Sequence, residues 1–190
     1  MQLKTISLIA GIGLATMAAS SEQYLNMSAI YANEQIEKSI NSYLDQVLES
    51  VPSAAQARVG LIHLRIENSS SPEFLFDVAF VRTRQQFFQT QRIINLPLSQ
   101  WSTYLDYLTD NKCRKIVLDQ IGDQNVKERL ASLNVKAYQG CPLWRENGFM
   151  IGAVFTFWFN DLPTDEQVSQ SERALRKIAP RIAKQLESVR

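Results

Sequence analysis

The chain is poor in the residues that carry chemistry. One histidine, His63, and two cysteines, Cys113 and Cys141, serve all 190 residues, so no histidine pair exists to build a zinc site. No G-x-S-x-G elbow, phosphate-cradling glycine loop, H-E-x-x-H helix or dinucleotide-binding turn occurs. Net charge is nearly nil as well: 20 basic against 19 acidic side chains leave +1. The whole molecule therefore generates no field that draws nucleic acid or an anionic membrane, and electrostatic recognition has to be local. Paired catalytic carboxylates and interleaved aromatic and basic nucleic-acid motifs are missing too. The expectation is a protein with no catalytic residues, no metal, no cofactor and no nucleic-acid partner. The one nucleophilic pairing on offer joins His63 to Cys141. A cysteine followed by Pro142 in an exported domain is more often a staple than a nucleophile.

Apolar residues are plentiful by comparison, at 45% of the chain, which is enough for one good core. The first apolar run spans Ile6 to Ala19, preceded by the cation Lys4 and interrupted only by Ser7 and Thr16. It is shorter than the ~20 residues of a usual spanning helix and close to a signal-peptide core, with Ala18 and Ser20 as small residues for cleavage. Counted from Met1 to Ser21, with Lys4 snorkelling to the interface, it makes a helix of roughly 31 Å, enough to cross a bilayer. Uncleaved anchor, removed signal and plain apolar arm all stay open, the anchor being the working expectation. Gly11 and Gly13 thin one side of that helix and permit close helix approach in the membrane. Glu22, Glu34 and Glu37 follow the run before the next cation, Lys38, which predicts the N-terminus inside and the body outside. In a bacterial host the body is then periplasmic, where Cys113 and Cys141 can pair; two buried free thiols are the alternative.

Three segments follow from this reading: a membrane anchor or signal at 1–21, a helical stalk at 22–52, and an extracytoplasmic domain at 53–190. In the stalk Ile36, Ile40, Tyr43, Leu44, Val47, Leu48 and Val51 recur at helical spacing up to Pro52. That stripe either docks on the next domain or pairs with another copy. "RVGLIHLRI" and "EFLFDVAFVRT" alternate as strands around the polar turn "ENSSSP", with Phe74, Phe76, Val78 and Phe80 expected on one face. Ser99 caps an expected short helix carrying Trp101, Tyr104, Leu105 and Leu108. "CRKIVLDQI" leans to strand and "NVKERLASL" to helix, and "VKAYQGCPL" is a strand expected to end at Cys141 and Pro142.

From Phe149 to Phe159 both alternating faces are apolar, which predicts a strand in the middle of a sheet, reached through the "RENG" turn. Thr164 and Gln167 form a capping box for the last helix, whose buried stripe is Val168, Leu175, Ile178, Ile182, Leu186 and Val189, bent at Pro180. Arg173, Lys177, Arg181 and Lys184 share another face: a solvated surface, or a site for an acidic partner or lipid headgroups. The fold class is α/β in the α+β sense: a single N-terminal membrane helix, a helical stalk, then a mostly antiparallel sheet covered by helices.

Two families resemble this layout. The element order, and "CPLWRENGFMIGAVFTFW" in particular, is similar to the sheet of GAF and PAS domains. GAF domains that bind cyclic nucleotides carry an Asn-Lys pair, then a Phe and an Asp-Glu pair. Asn111-Lys112 and Asp165-Glu166 are present here, but their spacing from Phe159 departs from that pattern. The second resemblance covers more of the chain. The stalk, "VGLIHLRIENSSSPEFLFDVAF", "YQGCP" and "GAVFTFWFND" before a terminal helix resemble the T-even phage holin family. That resemblance implies a protein that oligomerises with itself in the bacterial inner membrane and opens lesions that release endolysin. It also implies timing by an antiholin that binds the periplasmic domain. The tail of about five residues and the position of Cys113, upstream rather than in the terminal helix, depart from the family. A membrane-tethered GAF-like sensor or interaction module is the alternative, and a structural envelope or virion protein a third.

Overall fold

A computed structural model describes residues 25–65, 73–84, 96–97 and 110–189. The anchor with Gly11 and Gly13, the "ENSSSP" turn and the Ser99 helix lie outside the described residues. No described helix is long and apolar enough to cross a membrane.

Two consecutive helices come first, α1 (Met27–Ala32) and α2 (Glu34–Ser50). Asn33 ends one and caps the other, its Oδ1 accepting from the Gln35 and Ile36 amides. The apolar stripe of α2 is docked: Ile36, Ile40, Leu44 and Val47 are fully buried against the sheet and the last helix. The segment set apart as a stalk is thus a layer of the domain itself. Arg84 fixes the far end of α2, donating to the carbonyl of Leu48, which also accepts from the Val51 amide, and to that of Ala54 just past the helix.

The sheet holds β1 (Gln56–Arg65), β2 (Glu73–Thr83), β3 (Leu96–Pro97), β4 (Arg114–Val117), β5 (Ala137–Trp144) and β6 (Met150–Trp158) in the order β3-β2-β1-β6-β5-β4, every neighbouring pair antiparallel. As the two apolar faces of β6 require, it lies in the interior, between β1 and β5. A helix α3 (Gln124–Ser132) and the terminal α4 (Asp165–Glu187) complete the described elements. The Thr164–Gln167 capping box is present in both directions, and Leu175, Ile178, Ile182 and Leu186 form the buried stripe of α4 despite Pro180.

Four expectations need correction. Phe80 does not share a face with Phe76 and Val78, because a bulge at Val59/Gly60 sets Ala79 outside the pairing and turns Phe80 to the helix-covered side. A second bulge leaves Ile151 unpaired, moving it to the helix side while Ala153, Phe155 and Phe157 stay on the other. Pro142 does not end its strand: it pairs with Ala153, and β5 continues to Trp144. Finally, "CRKIVLDQI" is strand only to Val117, after which Leu118–Gln120 form a 3-10 turn.

At β1 and β6 the backbones meet closely. A Cβ on Gly152 would stand 2.0 Å from the Gly60 carbonyl oxygen, and one on Gly60 would stand 1.9 Å from the Phe76 ring. Only glycine fits at either place.

Candidate functional site

The two faces of the sheet differ in kind. One is filled by α2 and α4 and closed by Leu61, Val154, Trp158, Leu175 and Ile182. Two polar pairs lie on this side: Thr156 Oγ1 and Ser171 Oγ are 2.7 Å apart, and Trp158 Nε1 donates to Ser53 at 3.1 Å, while the buried Gln139 leaves its Oε1 without a partner. His63 also points to this side, its Nε2 3.3 Å from Asp77 Oδ2, with 15% and 7% of the two side chains exposed. Cys141 is joined to Cys113 in a disulfide, so the His63–Cys141 nucleophile pair does not exist.

The other face is aromatic. Tyr138 stacks on Phe157 at 5.6 Å, Phe155 meets Tyr138 edge-on at 5.9 Å, and Phe76 meets Phe155 edge-on at 6.1 Å. The β5, β6 and β2 strands supply these rings because residues two apart in a strand share a face. From β1, at the same spacing, come Gln56 and Arg58. Arg58 is only 1% exposed and Gln56 fully buried. The guanidinium lies 4.8 Å from the centre of the Phe157 ring. Its Nε donates to Gln56 Oε1 at 2.9 Å, and its Nη2 donates to the same oxygen.

This arrangement is electrostatically incomplete. Among the described residues no carboxylate pairs with Arg58, and the buried Gln56 Nε2 has no acceptor. Burial pushes the Arg58 guanidinium down to about 10, so it is still a cation at neutral pH. Sequence reading missed this pair. The signal was legible in "QARVGLI", where two polar side chains at i and i+2 interrupt an otherwise apolar strand.

The disulfide lies at the opposite edge. Arg114 pairs with Gly140, so Cys113, one residue earlier, stands opposite Cys141 with 4.2 Å between Cα atoms. A cavity of about 220 Å³ adjoins it, bounded also by Asn111, Trp144, Arg176 and Pro180. On α4 the cations Arg173, Lys177, Arg181 and Lys184 are all exposed, and none forms an ion pair with a described residue. Lys177 borders a hollow of about 240 Å³ shared with Gln46, Glu49 and Ser50 of α2. No group of three or more potential metal ligands occurs among the described residues. The cyclic-nucleotide signature is likewise not assembled: Asn111-Lys112 precede β4 and Asp165-Glu166 open α4.

No protein-family model and no curated protein matches the chain. Solved structures do. The blue-light absorbing PixJ GAF domain of Thermosynechococcus elongatus superposes with a TM-score of 0.60 at 9% identity, over 82% of this chain and 86% of that one. The fold is that of GAF domains. The GAF domain of a two-component sensor histidine kinase from Bacillus halodurans aligns over 83% of this chain and 95% of its own, with a TM-score of 0.50 and 16% identity. The red/green cyanobacteriochrome NpR6012g4 aligns over 80% and 94%, with a TM-score of 0.52 and 13% identity. The GAF-like part of the expected architecture is therefore present, an α+β domain with an antiparallel sheet.

Proposed function

We propose that this chain is a GAF-like sensory module without catalysis, which receives a small molecule on the aromatic face of its sheet and passes the event to α2 and α4 on the other. The observation that carries this reading is the cation buried among the rings of one face. Arg58 lies there at 1% exposure without a carboxylate partner among the described residues, beside a Gln56 whose Nε2 has no acceptor, while the helix side is filled by α2 and α4. Because β6 contributes Phe155 and Phe157 to one side and Val154 and Trp158 to the other, a shift on one face is transmitted to the helices through a single strand. The likeness to sensor domains supports this at the level of fold.

Placement outside the cytoplasm with an N-terminal tether belongs to the same proposal, supported by the Cys113–Cys141 disulfide, which persists in oxidising compartments. Lesion formation, homo-oligomerisation, an antiholin partner and lipid contacts rest on the holin resemblance alone, and the sensory reading is preferred.

The test is amide hydrogen exchange on α2 and α4 while a library of small neutral and charged molecules is screened. A ligand that raises the melting temperature and changes exchange in both helices supports the module. Ligands that bind yet leave both helices unchanged refute the coupling, and a screen without any ligand refutes the sensory reading.

A further inference from the structure

Resting on that reading, we propose that Arg58 and Gln56 are the selectivity element of the aromatic face, and that they receive the carboxylate of a small planar, carboxylate-bearing molecule whose apolar body lies against Phe155, Phe157 and Tyr138.

The argument begins with a group that does not suit its surroundings. A guanidinium brings five N–H donors in a flat fork and a full positive charge. Arg58 holds these at 1% exposure, and its described polar partner is the single neutral oxygen of Gln56. Ring stacking on Phe157 offsets part of the charge but supplies no acceptor. A buried cation without a counter-charge is disfavoured, and buried polar groups in native proteins are nearly always paired. Two unmet demands coincide: positive charge on Arg58 and an unpaired amide nitrogen on Gln56, both buried and both on one face of β1.

A carboxylate meets both demands at once. It is planar, accepts two parallel bonds from a guanidinium, and has lone pairs left for an amide donor. A neutral ligand would leave the charge unmatched. An ammonium ligand would add a second positive charge to a buried one. The aromatic residues beside the fork set the rest of the molecule, since Tyr138 and Phe157 already stack in near-parallel planes, 26° apart. A flat apolar body continues that packing. Both cysteines of the chain are in one disulfide, so no thiol is free to hold the ligand covalently and the recognition is noncovalent.

A buried charge without a counter-charge also costs stability, which makes the test clean. Arg58→Met removes the charge while keeping an unbranched side chain, and it folds at least as well as the native chain. The probes are benzoate and cinnamate, each beside its neutral amide, benzamide and cinnamamide, added to the oxidised full chain during thermal unfolding. The expected result is a rise of roughly 5 to 10 °C at a carboxylate concentration about 100 times its Kd, at least tenfold weaker binding of the matched amide, and no carboxylate response in Arg58→Met. Gln56→Leu, which keeps the fork and removes the amide, is expected to weaken carboxylate binding without abolishing it. Equal response to acid and amide overturns the inference while leaving the sensory module intact. A carboxylate response that survives in Arg58→Met overturns it too, as does silence toward both acids; the sensory reading then stands or falls on its own screen.

Discussion

Removing the Cys113–Cys141 bridge is the perturbation whose size the structure sets most directly. The bridge closes a loop across a sequence separation of 28. The chain-entropy relation gives about −12 cal/mol/K for such a loop, or about 3.6 kcal/mol at 25 °C. For a domain of this length roughly 2 to 4 °C of melting temperature accompany each kcal/mol, so the reduced protein is expected to melt roughly 7 to 14 °C lower. The loss should also be local. β4 is a four-residue edge strand held by β5 alone, in four residue pairs, and the bridge locks the end of that ladder. Amides of Arg114 to Val117 are therefore expected to exchange faster by a larger factor than those of β6, which is paired on both sides. The assay is urea unfolding of the oxidised chain against the same chain reduced in denaturant and refolded in reductant, followed by circular dichroism. Reduction keeps both sulfur atoms, so packing around Cys141 is retained and the cross-link alone is removed. The reasoning fails if the two forms differ by less than about 1 kcal/mol, or if β4 and β6 lose protection equally.

Three further perturbations have defined outcomes. Gly152→Ala is expected to cost about 3 kcal/mol or more, because its Cβ meets the Gly60 carbonyl at 2.0 Å and the β1–β6 ladder must shift; a loss under about 1 kcal/mol in urea unfolding refutes the close approach. Ser171→Ala strands Thr156 Oγ1 between sheet and helix and is expected to cost about 1 to 3 kcal/mol, whereas Thr156→Val with Ser171→Ala together restores most of it; additive losses in this double-mutant cycle would contradict the pairing. Arg58→Met is expected to stabilise the ligand-free chain by about 1 to 3 kcal/mol at neutral pH, the Gln56 and Phe157 contacts offsetting part of the burial cost. The sign follows from linkage. The folded guanidinium titrates at about 10, lowered by burial from its open-chain value, so the full penalty applies below pH 10. Above that the unfolded chain binds more protons and native stability rises with pH, so the advantage of Arg58→Met shrinks. An advantage that grows between about pH 9 and about pH 11 contradicts the assignment.

The helices were the most legible elements. The α2 stripe, the capping box at Thr164 and the stripe of α4 all follow from a period of 3.6 residues and from local side-chain bonds, and each is present. The strands were legible as strands but not in their facing. A bulge is a mismatch between two partners, so the turning of Phe80 and the displacement of Ile151 depend on neighbours that neither strand's own pattern reveals. Pro142 shows the same limit: the sequence marks a residue without an amide donor, while the sheet decides that its position tolerates one.

The sequence by itself determined the material: a nearly neutral chain with apolar content enough for one domain, one doubly apolar strand, two cysteines, a basic helix face and a poverty of catalytic groups. Composition and short-range periodicity suffice for those because each depends on a residue and its near neighbours. Tertiary structure alone decided that the two cysteines stand opposite each other, that the helix after the first apolar run is a layer of the domain, and that Gln56 and Arg58 are buried together beside the rings of Phe157 and Tyr138. These are long-range facts. Arg58 lies 99 positions before Phe157 in the chain and 4.8 Å from its ring in the fold, and only the pairing of β1 with β6 brings that charge and that ring together.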